Sequence, residues 1–300
     1  MTAAVSPKVS VAIITYNQKA YLEEAIESVL AQDYENLEIV VADDGSKDGS
    51  HELLRKYAQQ YPGRFKLELG DRNIGITGNS NRALFASTGK YVAWLGGDDI
   101  MLPGRLRQQS EYMESHPECA ACFHDLDVFE SISGKTIGRF SDTYPIEEFN
   151  ASGLKTIVRY GFGGGTSAMV RSSMSPPGGF DERIASASDW LYWIELARVG
   201  TMKYFPATLT RYRRHSSNAT RNLSYLSQDL IRTLEIVDEK YPELKSDTRY
   251  ARARSAYSQG VQSVRTKEWA LARHHLNESI SLSWLGWKWF LWYVRAAIRK

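Results

Sequence analysis

Three short clusters carry side chains whose types and spacing could do chemistry. They are Thr15-Tyr16-Asn17, Asp43-Asp44-Gly45-Ser46-Lys47-Asp48, and Gly96-Gly97-Asp98-Asp99, the last with Pro103 soon after. In the second cluster one carboxylate can accept a hydrogen bond from a base or a ribose, while the glycine lets the backbone turn sharply beside it. In the third, two adjacent carboxylates repel each other, and a bound divalent cation is the simplest way to neutralise them. Mg2+ would suit, because it takes one or two protein carboxylates and completes its shell with phosphate oxygens and water. Each cluster also has a plain structural explanation: an acidic turn with a helix cap for Asp43 to Asp48, and Asp99 as the cap of a helix after Pro103.

The flanking sequence says what must hold these clusters. Val9, Val11, Ala12, Ile13 and Ile14 form a nearly continuous apolar run, the pattern of a strand buried on both faces. Tyr21, Leu22, Ala25, Ile26, Val29 and Leu30 follow at helical spacing, with Asn17 near the start as a cap. The order then repeats: a strand over residues 37–42, a helix through Leu53, Leu54, Tyr57 and Ala58, a strand over 65–69, a helix over about 78–88, and a strand over 91–95. Such alternation predicts an α/β fold with a mainly parallel sheet, in which ligands bind beyond the carboxyl ends of the strands. All three clusters fall there. Beyond residue 125 the alternation decays into an expected hairpin and loop over 125–150, a short helix over 152–160, a glycine run, a strand-like Ser167 to Val170 and a helix over 189–199. From about residue 222 the pattern is helical to the end.

Taken in order, five motifs resemble those of glycosyltransferase family 2. They are Val9 to Asp48; Asn73-Ile74-Gly75 followed by Asn81; Gly96 to Asp99; Gly178-Gly179-Phe180-Asp181-Glu182 followed by Ser188-Asp189-Trp190; and Tyr212-Arg213-Arg214-His215. The resemblance implies a Rossmann-like GT-A catalytic domain over residues 1–218 and a helical extension over 219–300. It also implies an inverting transfer of sugar from a nucleotide diphosphate donor, UDP by analogy, to a hydroxyl of a saccharide or lipid-linked acceptor, in polysaccharide, glycolipid or cell-envelope glycan synthesis. Carried over residue by residue, it makes Asp43 the acceptor of the uracil N3 proton with Tyr16 beside the base. Asp44 becomes a further nucleotide contact, with Thr15, Asn17, Asn73, Gly75, Asn81 and Asp99 on the donor side. Asp98 would hold Mg2+ or Mn2+ on the diphosphate, His215 would contact the metal or diphosphate, and Asp189 would be the catalytic base. Two positions depart from the family pattern: Gly96 stands where an aspartate is often found, and Ser188 where an acidic residue often precedes the base. Asp189, at an expected helix start, could also serve as a cap.

Composition narrows the rest. The fractions of apolar, aromatic and charged residues are those of an ordinary soluble globular protein. Residues 249–300 hold ten Lys or Arg against Glu268 and Glu278, leaving residues 1–248 with 27 basic and 33 acidic side chains. A polyanionic partner would therefore meet the tail and not the body, and no nucleic-acid partner is expected. Cys119 and Cys122 form one C-x-x-C with no second pair to complete a zinc site, so buried strand cysteines in a reduced compartment are expected. The first thirty residues show no secretory pattern, which points to a cytoplasmic protein, peripheral on the membrane face if the tail binds lipid. Leu282, Leu285, Trp289, Trp292 and Ala296 fall at helical spacing beside Arg295, Arg299 and Lys300. That pattern fits a helix over 282–300 lying on an anionic membrane, or one packed on the catalytic domain. Two rival functions stand beside glycosyl transfer. One is a sugar-nucleotide nucleotidyltransferase, which usually has a basic glycine-rich triphosphate loop that this chain lacks near its first strand; the other is a non-catalytic binding protein of the same fold.

Overall fold

The computed structural model describes residues 6–218 and 223–283. It begins with β1 (Val9–Thr15), α1 (Lys19–Leu30), β2 (Leu37–Asp43), α2 (Ser50–Gln60), β3 (Phe65–Leu69), α3 (Ile76–Ala86) and β4 (Tyr91–Gly96), the alternation expected from sequence. β1 pairs in parallel with β2 and β4, and β2 with β3. Successive strand residues point to opposite faces. Val11, Ile13, Ile39 and Val41 pack with Leu22, Ile26 and Leu54 in one core, while Ala12, Ala42, Val92 and Trp94 belong to the other. Because helices cover both faces, neither face needs polar residues, which is why the strands read as continuous apolar runs.

The second half contains β5 (Ile100–Met101), α4 (Arg105–Ser115), β6 (Cys119–Glu130), β7 (Thr136–Arg139), α5 (Ile146–Ala151), α6 (Gly153–Tyr160), β8 (Met169–Arg171), α7 (Asp189–Val199) and β9 (Thr201–Arg214). The sheet runs β3-β2-β1-β4-β8-β6-β9-β5, with β7 on β6. β8 is antiparallel to β4 and β6, and β9 runs parallel to β6. The expected hairpin over 125–150 is β6–β7, but its first strand starts at Cys119 and the segment ends in α5. The sequence pattern gave no sign of so long a β9. Its pairing jumps from His124↔Phe205 to Asp125↔Thr208, so Pro206, which has no N–H to donate, sits in an irregularity that breaks the alternation. Both cysteines are buried and free within β6, and burial raises the Cys119 thiol to about 11, which makes them packing residues.

Three further helices follow: α8 (Leu223–Lys240), α9 (Lys245–Arg265) and α10 (Trp269–Leu282). Leu234, Ile236, Val237, Leu244 and Ala251 join the same core as Phe123, Phe162 and Trp193. No described helix is long and apolar enough to cross a membrane. Leu282 closes α10 and Ser283 after it is extended, while the rest of the expected interfacial helix, residues 284–300, lies outside the described residues.

Candidate active site

Strand register brings the three clusters together at the carboxyl ends of adjacent parallel strands. Thr15 pairs with Asp43 across β1 and β2, and Ile14 with Gly96 across β1 and β4, so the loops after these strands emerge side by side. Asn17 does not cap α1, whose cap position is Gln18 without a side-chain cap bond. At φ 50° it faces the second cluster instead. Its N–H donates to Ser46 Oγ (2.7 Å), and its Oδ1 accepts from the Lys47 N–H (2.9 Å). With the Asp44 N–H on the Thr15 carbonyl (3.0 Å), the first two loops form one wall. Thr15 is buried in that wall and Tyr16 stands 46% exposed on it, available to a flat ligand.

Asp43 is fully buried. Its Oδ1 accepts from the Ser46 N–H and lies 2.8 Å from His51 Nε2. Its Oδ2 is buried with no hydrogen-bond partner among the described residues. An orphaned carboxylate oxygen is costly unless a donor reaches it, and the ring N–H of a nucleobase is such a donor. Gly45, at φ 77°, is required here, because a Cβ would lie 2.7 to 2.9 Å from the Arg72 backbone. Asp44 uses both oxygens on the main chain, accepting from the Ile74 N–H (2.8 Å) and the Gly75 N–H (2.9 Å). Asn73 Oδ1 also accepts from the Gly75 N–H (3.0 Å), so the turn before α3 is fixed. Asn81 is buried, and both ends of its amide bind the main chain of Phe180, at 2.7 and 2.9 Å. It thereby ties the Gly178-to-Glu182 motif to α3.

The carboxylate pair sits under the end of β4. His215, at the end of β9, places Nε2 2.8 Å from Asp98 Oδ2. Its Nδ1 lies 2.8 Å from Ser217 Oγ, and its ring lies against Tyr21 at 4.8 Å between centroids. Asp99 does not cap α4, which Gly104 precedes. Asp99 Oδ1 accepts from the Arg213 N–H (2.9 Å). Burial and the neighbouring Asp98 charge hold the Asp99 carboxyl well above the usual carboxylate range. Arg213 braces the pair by donating to the Asp98 carbonyl (2.8 Å) and pairing with Glu24. Behind them the fully buried Arg105, lowered by desolvation to about 9, donates to the Thr166, Trp94 and Ala168 carbonyls.

This arrangement fits a divalent cation. Asp98 offers an oxygen that Mg2+ or Mn2+ can use with substrate phosphates completing the shell, and the His215 imidazole nitrogen suits the softer Mn2+ better than the oxygen-preferring Mg2+. Among the described residues the one three-member group of His, Cys, Asp or Glu side chains that could hold a metal is His274, His275 and Glu278 on α10, so no third side chain of those types joins Asp98 and His215. The Asn218 amide lies beside both, 3.3 Å from Asp98 Oδ2 and 3.2 Å from His215 Nε2. Gly96 also gains an explanation. A Cβ there would lie 2.8 Å from Asp98 Oδ1 and 2.9 Å from Asp99 Oδ2, so the glycine lets both carboxylates fold back beneath the strand.

Asp189 begins α7, after a buried Ser188 whose Oγ lies 2.8 Å from Thr77 Oγ1. A Cβ at Gly165 would lie 3.9 Å from Asp189 Oδ2, and the next residue, Thr166, accepts the Gly96 N–H on its Oγ1 (3.1 Å). Two consecutive residues thus border both Asp189 and the end of β4. Burial pushes the Asp189 carboxyl up to about 6, against the pull of the Trp190 amide and the Trp193 indole. A carboxylate poised near neutrality is suited to accept a proton. A cavity of about 870 Å³ lies elsewhere, between Phe85, Pro176, Arg198 and Tyr241, and none of Asp43, Asp98 or Asp189 lines it. His51, Thr77, Arg105 and Asp229 carry no sequence motif that marks them, yet each holds part of this site.

The profile described as Glycosyl transferase family 2 matches residues 10–173, more than half of the chain. The chain belongs to glycosyl transferase family 2. The matched segment includes Asp43, Asp98 and Asp99 and stops before Asp189 and His215. An uncharacterized protein of Mycobacterium tuberculosis is 31% identical to this family 2 chain over 211 residues, covering 69% of it and 59% of the relative. The chain thus spans about three-fifths of the length of such curated relatives. An uncharacterized glycosyltransferase of Haemophilus influenzae is 26% identical over 219 residues, covering 71% of this chain and 68% of the relative. In structure, S. aureus TarS 1–349 in complex with UDP-GlcNAc is similar at a TM-score of 0.61 and 15% identity, over 89% of this chain and 90% of that one. The mannosyltransferase PcManGT from Pyrobaculum calidifontis, in complex with GDP-Man and Mn2+, is similar at 0.64 and 19% identity, over 97% of this chain and 80% of that one. At such identities the likeness establishes the fold, which is GT-A.

Proposed function

We propose that this chain transfers a sugar from a nucleotide diphosphate donor to a hydroxyl acceptor with inversion at the anomeric carbon. The observation that carries the reading is the convergence of the loops that follow β1, β2 and β4. It places an orphaned buried acceptor on Asp43 and the Asp98–His215 donor pair at adjacent strand ends, with Asp189 joined to them through Gly165 and Thr166. Asp43 Oδ2 accepts a ring N–H of the base, and Tyr16 lies beside it. Asp98 and His215 would hold Mg2+ or Mn2+, which would supply positive charge against the diphosphate of the donor. Asp189 accepts the proton of the acceptor hydroxyl as its oxygen bonds to the anomeric carbon. The bond from that carbon to the diphosphate oxygen breaks, and its electron pair leaves with the nucleotide diphosphate. A UDP-sugar is the favoured donor. A saccharide or lipid-linked acceptor, reached with the basic tail of residues 282–300 resting on an anionic membrane, completes the reading.

Calorimetry with UDP and GDP, with and without Mn2+, tests the binding half. Release of UDP from UDP-GlcNAc and of GDP from GDP-mannose tests the chemistry. Metal-dependent binding together with slow donor hydrolysis that chelator abolishes is the expected result. Binding without turnover would leave a binding protein of this fold, and pyrophosphate release from a nucleoside triphosphate would indicate nucleotidyl transfer.

A further inference from the structure

The helical extension enters the site at Asp229, in the second turn of α8. This carboxylate is buried and accepts from three successive main-chain N–H groups: Ala185 (3.3 Å), Ser186 (2.8 Å) and Ala187 (2.9 Å). Charge-assisted bonds of this kind are stronger than neutral ones, and three in a row fix the backbone they hold. The same segment is held on its other side by Thr77, whose Oγ1 lies 2.7 Å from the Ile184 carbonyl, 3.0 Å from the Ala185 carbonyl and 2.8 Å from Ser188 Oγ. Thr77 follows the turn that Asp44 fixes on the donor side. Residues 184–188 are therefore gripped between α3 and α8 up to the position before Asp189. The start of α7 has no side-chain cap bond of its own to set its direction.

We infer that Asp229 is a positioning residue that acts through Asp189, so that the helical extension is a working part of the active site. The inference rests on Asp189 being the base. It concerns a residue beyond the segment that the family profile matches.

Asp229→Ala, Asp189→Asn and the double variant, each in the full chain, test it with UDP-GlcNAc and GDP-mannose as donors. Asp229→Ala should lower kcat at least about 10-fold, because misplacing a reacting group by about 1 Å costs up to about 10² in rate. Affinity for UDP or GDP with Mn2+ should stay within about 2-fold, since only a step after donor binding is disturbed. The double variant should be no slower than Asp189→Asn alone, as expected when one residue acts through the other. Hydrogen exchange should quicken at residues 185–189 and stay unchanged at 43–48. Unchanged exchange at 185–189 overturns the inference whatever the turnover. So does a parallel fall of kcat and nucleotide affinity, which marks a general loss of structure. An inactive Asp189→Asn beside a fully active Asp229→Ala refutes the positioning role alone, whereas an active Asp189→Asn refutes the base itself.

Discussion

Asp189→Asn preserves the shape of the side chain at the start of α7 and removes its charge, so it separates stability from catalysis. An unperturbed aspartate titrates near 3.8, and in the folded protein burial raises this one to about 6. The folded state therefore holds the proton more tightly than the unfolded state. The cost of the carboxylate to stability is absent below about 3.8, grows as pH rises, and is complete above about 6. Two pH units at about 1.36 kcal/mol each give about 3 kcal/mol. The side chain keeps some contact with solvent, and screening reduces this to roughly 1–2 kcal/mol. Asparagine carries no such cost, so the variant should melt a few degrees above the wild type at pH 8, with the difference shrinking toward pH 5. Turnover should fall at least about 10²-fold, because the amide cannot take the acceptor proton. Wild-type kcat should lose activity on its acid side near pH 6, where the base becomes protonated. Thermal unfolding at pH 5 and 8, with donor hydrolysis across the same range, measures both effects on one preparation. A lower melting temperature at pH 8 combined with preserved turnover would refute the base and leave a helix cap.

Further outcomes follow from the other groups. Gly96→Ala places a Cβ within 3 Å of both carboxylates and should weaken Mn2+-dependent turnover by about 10²-fold, read as metal affinity and kcat. Asp98→Asn should lower Mn2+ affinity at least about 10-fold, and far more than Asp99→Asn, whose side chain still accepts the Arg213 N–H; equal effects would leave the ligand unassigned. His51→Ala removes the group that helps orient Asp43 Oδ1 and should weaken UDP or GDP binding about 10-fold by calorimetry, with unchanged affinity counting against it.

The β1-to-β4 half is legible in the sequence because each strand–helix unit is local and covered on both faces, so hydrophobic period and turn residues coincide. The start of α7 is legible for a similar reason: Trp190, Trp193, Ile194 and Ala197 fall at helical spacing after Asp189. β9 is not, since it is partly exposed, contains Pro206 and pairs with a strand about 80 residues away. Within the site, residue type marks polar partners without saying which partner wins. Asn17 reads as a helix cap, yet the neighbouring loop claims it. Asp44 and Asn81 carry groups that could contact a nucleotide, and the fold assigns both to main-chain partners. Asp229 is silent because its three partners lie 42 to 44 residues upstream, and no local pattern records that closure.

The two-sided sheet also sets an order of events during synthesis. Ala12, Ala42, Val92 and Trp94 belong to a core that is complete only when Leu234, Ile236 and Val237 arrive. About 140 residues separate Trp94 from Val237, which at roughly 5–20 residues per second is about 7–30 s of translation. Through that interval the nascent chain carries an incompletely covered apolar core at the ribosome, open where α7 later meets α8. A fragment ending near residue 218 would keep α7 short of α8 permanently, making that surface a ligand for chaperones or for a second copy of itself.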